Sequence, residues 1–471
     1  MSLFLLNDCA WDQKVDPRVE VYQEAPVVSP LEEKDQTPFA IGFWPSTSWW
    51  EIFNDPCLDY CIRVAIDNNP DLLVAKSRVE EAYNVAMREG GPRWFQAELN
   101  GSAFISHLSK YGLYRTLNST IPANGDLIDL TGVVSYEVDI WGKNYERYMA
   151  AVNLFQSSEA KSFFVEVDVS TRVAEVYFIL QSLDAQIEKL GEWMISEEEI
   201  VALSKQLLKN RIINKIQLES IKQDLEGLKK DWEALTTARQ IQRHLLAILM
   251  GMGPDTEIPV GRNFLEPMQK LSIPTTLSLG LLKRRPDLAA DIHYLKSLER
   301  EIKIARTLFY PDINIIASGG VESFTAFNVF SPQSLQGALL PSFSLPLFTG
   351  FRLKGNLGVK IKAYEAGVHQ YNANVLKASQ EVKDIVSQLE GIVLTIGYQN
   401  NLIEEEAIKL DLTERLYLNR ILSKIQLDKE KNALYQKWIT MYNLYRERYQ
   451  YHVRLIRALG GGYLDGKREV E

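Results

Sequence analysis

Two periodicities alternate along this chain, and each pattern occurs twice. The first has period two. Phe95, Ala97, Leu99, Gly101, Ala103 and Ile105 alternate with Gln96, Glu98, Asn100, Ser102 and Ser106. A second run follows, in which Ile128, Leu130, Gly132, Val134, Tyr136, Val138 and Ile140 alternate with Asp129, Thr131, Ser135, Glu137 and Asp139. Alternation of this kind predicts two strands, each with one apolar and one mostly polar face. His107 to Asp126, with Asn118, Ser119, Pro122, Asn124 and Gly125, reads as the loop between them. After Trp141-Gly142 the spacing turns helical. Val173, Val176, Leu180, Leu183, Ile187 and Leu190 step by three and four, which is coiled-coil spacing. Leu218, Ile221, Leu225, Leu228, Trp232 and Leu235 step likewise on a second arm. At 1.5 Å per residue the longer arm would reach on the order of 100 Å.

Between the two arms stands Asn210-Arg211-Ile212-Ile213-Asn214-Lys215-Ile216-Gln217-Leu218. The same pattern returns as Asn419-Arg420-Ile421-Leu422-Ser423-Lys424-Ile425-Gln426-Leu427. Each copy is expected to be the turn of a long helical hairpin in a tandem duplication. The rest of the second half agrees. Arg285-Pro286-Asp287-Leu288 matches Asn69-Pro70-Asp71-Leu72. Pro311, Ile313, Ile315, Ala317 and Gly319 match the first strand, and Leu335, Gly337, Leu339, Pro341, Phe343, Leu345 and Leu347 the second. Thr349-Gly350 stands in the place of Trp141-Gly142, and Val382, Ile385, Leu389, Ile392 and Ile396 repeat the heptad stripe. The expected organisation is an arm over 1–47 and a first repeat over 48–260. A second repeat follows over 261–463, with a loose tail at 464–471.

Charge and cysteine content narrow the chemistry. A net charge of -9 over 471 residues argues against a nucleic-acid partner. Cys9, Cys57 and Cys61 make neither a disulfide framework nor a zinc-ligand pattern. No nucleophile–base pair, metal set or paired carboxylate has credible spacing, so no enzyme is expected. Glu197, Glu198 and Glu199 read as a solvated helix face. The short apolar run before Cys9 marks it as a candidate lipid-anchored residue, although a basic leader is missing and Asp8 is unusual before a lipoprotein cleavage site.

No run is long and apolar enough for a membrane helix. That leaves the strands. In lipid an open sheet edge leaves unpaired N–H and C=O groups, each costing several kcal/mol. Single-chain barrels begin at about eight strands. Four strands in a membrane therefore require several chains to share one barrel, with the helical hairpins gathered beneath it. A soluble coiled-coil scaffold that tethers partners would explain the heptads and the duplication. It does not explain four alternating runs at matching places in both halves.

Trp49-Trp50-Glu51-Ile52-Phe53-Asn54-Asp55-Pro56-Cys57-Leu58, Asn69-Pro70-Asp71-Leu72, Tyr136 to Gly142, Arg284 to Leu288 and Leu459-Gly460-Gly461-Gly462 together resemble the TolC family. They are most similar to its outer-membrane lipoprotein channels of tripartite drug and metal efflux systems, over roughly 45–463. The resemblance implies a homotrimer, mainly α with membrane β. Each chain would give four strands to a twelve-stranded outer-membrane barrel and two hairpins to a periplasmic tunnel. It implies no cofactor and no catalysis, with an inner-membrane pump and a periplasmic adaptor as partners. An exit duct for secreted polypeptide shares the architecture. The adaptor-contacting tips implied here are Asn210, Arg211, Ile212, Lys215, Asn419, Arg420, Ile421 and Lys424. The family's tip glycines align with Arg211 and Arg420, so Asn210 and Asn419 are expected to supply the left-handed turn residue. The tunnel constriction maps to Ile425, Gln426 and Lys429, with Asp428 adjacent.

Overall fold

A computed structural model describes residues 13–23, 39–41, 44–118, 120, 123–261, 271–273, 284–324 and 326–464. Cys9 lies outside these residues. The chain divides into two compact units: Met1–Val21, Val79–Ser157 and Asp291–Gln370 in the first, Tyr22–Arg78, Ser158–Ala290 and Tyr371–Glu471 in the second.

The first unit holds the sheet. Strands β2 (Gln96–His107), β3 (Asn124–Glu137), β5 (Asp312–Ser323) and β6 (Leu335–Ser344) form one antiparallel sheet in the order β2-β3-β5-β6. The register keeps the faces apart. Leu99, Gly132, Gly319 and Gly337 lie in one row across the sheet, and Ala97, Val134, Ala317 and Leu339 in the next. Ser102, Asp129 and Glu322 share the opposite face, where Asp129 accepts from Thr131 Oγ1 at 2.9 Å and Gln336 Nε2 at 2.9 Å. The apolar side chains stay uncovered, with Leu99 72% and Leu339 69% exposed. The loop after β2 carries a short helix, α3 (Leu113–Leu117), and strand β3 begins at Asn124, inside the expected loop, because the ladder with β2 runs on to His107↔Asn124. The outer edges of β2 and β6 pair with no other strand of the sheet.

At the Trp141-Gly142 end the sheet is pinned. Trp141 stacks on Tyr310 at 4.6 Å and donates from Nε1 to the Pro311 carbonyl at 2.9 Å. Lys143 bridges Glu137 at 2.5 Å and Asp312 at 2.7 Å, joining the ends of β3 and β5. Gly142, at φ 75, turns the chain from strand into helix.

The helices follow the heptads. Helices α4 (Lys143–Lys209) and α7 (Arg352–Leu418) have 67 residues each, and their return partners α5 (Lys215–Leu249) and α8 (Lys424–Ala458) have 35 each. Val173, Val176, Leu180, Leu183 and Leu190 are buried along α4, and Val382, Ile385, Leu389, Ile392 and Ile396 along α7.

In the second unit the recurring motifs fasten the helix ends. Helix α1 (Pro56–Asn68) is capped by Asp55, whose Oδ1 accepts from the Cys57 and Leu58 amides. The other oxygen of Asp55 accepts from Tyr177 Oη at 2.6 Å and Gln181 Nε2 at 3.1 Å. Trp49 and Phe53 stack edge to face beside this site. Asn69 caps α2 (Pro70–Gly90) through Oδ1, while its amide donates to Leu249 O at 2.8 Å, the last carbonyl of α5. Arg285, before α6 (Pro286–Thr307), does the corresponding work in the second repeat. It forks onto Asp287, pairs with Glu381 at 2.7 Å, and donates to Ala458 O at 3.2 Å, the last carbonyl of α8. The residue before each Pro-Asp-Leu therefore closes the return helix of its own repeat. A short parallel pair, β1 (Phe39–Ile41) with β4 (Leu271–Ile273), was not foreseen in the sequence.

Candidate functional site

Both hairpin tips lie in the second unit and are built alike. Helix α4 ends in two backbone bonds, Ile212 N to Leu207 O at 2.9 Å and Arg211 N to Leu208 O at 3.0 Å. Helix α7 ends the same way, with Ile421 N to Leu416 O at 2.9 Å and Arg420 N to Tyr417 O at 2.8 Å. These nested bonds require a left-handed residue one place past the helix cap. Arg211 takes it with φ 56 and Arg420 with φ 60. The expectation that Asn210 and Asn419 carry the positive φ is corrected here. Each Asn is the last residue before the reversal, and the geometry of the six-residue closure fixes the left-handed position one residue later.

The next helix starts at once. Asn214 accepts from the Gln217 amide at 2.9 Å, and Gln217 Oε1 accepts from the Asn214 amide at 3.0 Å. Ser423 and Gln426 make the same reciprocal pair at 3.3 and 3.1 Å. This is a capping box. It accounts for much of the repeated motif: Asn or Ser as cap, Gln three residues on, then Leu218 or Leu427, both buried. Nothing in this turn chemistry calls for the arginines or for Lys215.

The tips differ in their ties to the arms. Lys424 Nζ pairs with Glu199 of α4 at 2.9 Å. Glu199 holds the ammonium protonated, raising its pKa, and Lys424 in turn lowers that of Glu199. Asn432 Nδ2 donates to Glu197 Oε2 at 2.6 Å. Lys215 is exposed, and no ion pair or hydrogen bond holds it among the described residues.

Two carboxylates depart from the expectation. Glu197 is 4% exposed rather than solvated, because α8 covers it and supplies Asn432. Burial raises its pKa, and Asp224 and Asp428 push the same way. Asp428 is 2% exposed, and its Oδ2 has no hydrogen-bond partner. Burial raises its pKa as well. Asp428 therefore packs against its own chain, whereas Gln426 and Lys429 are exposed and Ile425 is half-buried. Asn210, Arg211, Asn419 and Arg420 are all exposed, as are Ile212 at 67% and Ile421 at 66%. Sequence reasoning missed the Glu197–Asn432 bond, since nothing local marks which of three adjacent glutamates turns inward.

Comparisons with known proteins find relatives across most of the chain. Residues 278–461 match the family described as Outer membrane efflux protein. The chain is 26% identical over 438 residues to the multidrug resistance outer membrane protein MdtP of Escherichia coli (strain K12), covering 92% of this chain and 90% of that one. It is 25% identical over 476 residues to the probable outer membrane lipoprotein SilC of Salmonella typhimurium, covering 98% of each. Among solved structures, the outer membrane protein VceC of Vibrio cholerae superposes with a TM-score of 0.77 at 27% identity, over 89% of this chain and 100% of that one. The Campylobacter jejuni CmeC outer membrane channel has the same fold, with a TM-score of 0.83 at 18% identity over 94% of this chain and 96% of that chain.

Proposed function

Because the chain resembles outer membrane efflux proteins over most of its length, we propose that it works as a passive duct built from three copies. The observation that carries this reading is the four-stranded sheet with one apolar face, one polar face and two free edges. Free edges are not tolerated in lipid. Three such sheets joined edge to edge give a closed barrel above the minimum of about eight strands. The apolar faces then meet lipid, and Ser102, Asp129, Glu322 and Gln336 meet water.

The partners proposed are a periplasmic adaptor, bound at Asn210, Arg211, Ile212, Lys215, Asn419, Arg420, Ile421 and Lys424, and the inner-membrane pump that the adaptor links to the duct. Ile425, Gln426 and Lys429 form the narrow end of the tunnel in this reading. No phosphate-binding loop is found in the sequence, so the pump supplies the energy. Small molecules are the proposed cargo: MdtP is named for multidrug resistance, and the sequence resemblance is to drug and metal efflux channels. Cys9 is the proposed lipid anchor, supported by the lipoprotein description of SilC.

The test is the mass and shape of the particle extracted from outer membranes in detergent. A three-chain particle that conducts ions in a planar bilayer is expected. A monomer that stays soluble without detergent would overturn the duct and favour a tethering scaffold.

A further inference from the structure

Four helix ends in the second unit close with the same pair of nested backbone bonds. Two are at the roots of the hairpins. Met252 N bonds to Ala247 O and Gly251 N to Ile248 O, while Gly461 N bonds to Ile456 O and Gly460 N to Arg457 O. There the left-handed residue is glycine, with φ 71 at Gly251 and 93 at Gly460. The other two are the tips, where the left-handed residue is arginine in both repeats. A left-handed L-residue costs roughly 1–2 kcal/mol, which glycine avoids. The tips therefore carry a strained cation where the same chain uses an unstrained residue at the same turn.

Among the described residues no hydrogen bond or ion pair engages the side chain of Arg211, Arg420 or Lys215. Around the first tip, Lys205, Lys209, Arg211 and Lys215 occur with no acid from 205 to 218, in a chain of net charge -9. Beside each arginine stands an exposed isoleucine, Ile212 at 67% and Ile421 at 66%. Each tip thus offers a guanidinium, whose planar fork suits a carboxylate, next to an apolar knob.

Resting on the reading of the tips as the adaptor site, we propose that the adaptor's docking turn is acidic. It presents carboxylates to Arg211, Lys215 and Arg420 and an apolar residue to Ile212 and Ile421. Charge complementarity of this kind sets partner choice and association rate more than total affinity. It also restricts docking to adaptors of the matching sign, since like charges brought together repel.

The test uses the full-length channel in detergent and two synthetic helical-hairpin peptides. The peptides are identical except that leucine in the turn is flanked by two glutamates in one and two lysines in the other. Binding is read by fluorescence anisotropy across a sodium chloride series. The glutamate peptide is expected to bind at least about tenfold more tightly at low salt, with the ratio falling as salt screens the contact. Arg211→Gly combined with Arg420→Gly keeps the backbone turn and is expected to reduce the ratio severalfold. Equal binding of both peptides, or a ratio unchanged in the double glycine variant, would overturn the acidic partner and leave the tips as a docking site. Binding of neither peptide, or binding of both unaffected by Ile212→Ser with Ile421→Ser, would overturn tip docking and this inference together.

Discussion

The roots and the tips of the two hairpins share one backbone closure and differ in what surrounds it. At the roots a side chain has no room. A Cβ on Gly251 would come within 2.3 Å of Asn68 O, and one on Gly460 within 1.9 Å of Arg284 O. Glycine is needed there twice over, for its φ and for the close approach of the end of α1 and of the segment just before α6. At the tips the backbone is exposed and only φ matters, so the position tolerates a strained side chain. The same turn is thus a structural joint at one end and a display position at the other. Asn69-Pro70-Asp71-Leu72, Arg284 to Leu288 and Leu459-Gly460-Gly461-Gly462 all lie at the joint.

The largest effect expected from this contrast is at a root. Gly460→Ala should cost at least about 3 kcal/mol, from left-handed strain added to a backbone clash, and should abolish the assembled particle in size-exclusion chromatography. Arg420→Ala, at the matching tip position, should leave the particle intact. A similar loss for both would erase the distinction.

Next comes the tie between the second tip and α4. Asn432→Leu leaves the Glu197 carboxylate buried without its donor, at a cost of about 2–3 kcal/mol. Local hydrogen exchange along 192–200 should rise, while exchange along 215–225 stays unchanged. The pH dependence has a definite sign. Glu197 and Asp428 have raised pKa values in the folded chain. Their stabilising contribution is therefore fully present below the unfolded carboxylate value near 4 and is lost as pH rises through the folded value. After correction for intrinsic rates, protection at the second tip should grow as pH falls towards the ordinary carboxylate range, with little change at the first. His452 acts in the opposite sense. It is buried, its pKa is lowered from 6.5 to about 4 by burial, and global stability should be lost as pH falls through that interval.

The capping boxes should respond equally. Asn214→Ala and Ser423→Ala should each cost about 1 kcal/mol by local exchange at their own tip. A cost confined to one tip would show that the shared turn chemistry is not what shapes both.

The smallest effects concern the cations themselves. Arg211→Gly and Arg420→Gly should each firm their turn by up to about 0.5 kcal/mol, as relief of strain is partly offset by glycine's freedom in the unfolded chain. Lys424→Ala should loosen the second tip by about 0.3 kcal/mol, less at high salt, because its pair with Glu199 is half-exposed. Lys215→Ala should change nothing measurable in stability.

The sequence by itself determined the duplication, the two strand faces, the heptad seams and the presence of a turn at each repeated motif. All of these follow from short-range rules. Period two separates the faces of Ile128-to-Ile140 whatever lies beside them, and Gln217 reaches the Asn214 cap within one helical turn. Tertiary structure alone decided three things. It placed the positive φ on Arg211 rather than Asn210, because that position depends on where the last helical hydrogen bond closes. It turned Glu197 and Asp428 inward, because only packing between α4 and α8 distinguishes them from Glu198 and Glu199. It gave Asn69 and Arg285 equivalent tasks, because each reaches a carbonyl at the far end of its repeat, Leu249 or Ala458, which local spacing cannot anticipate.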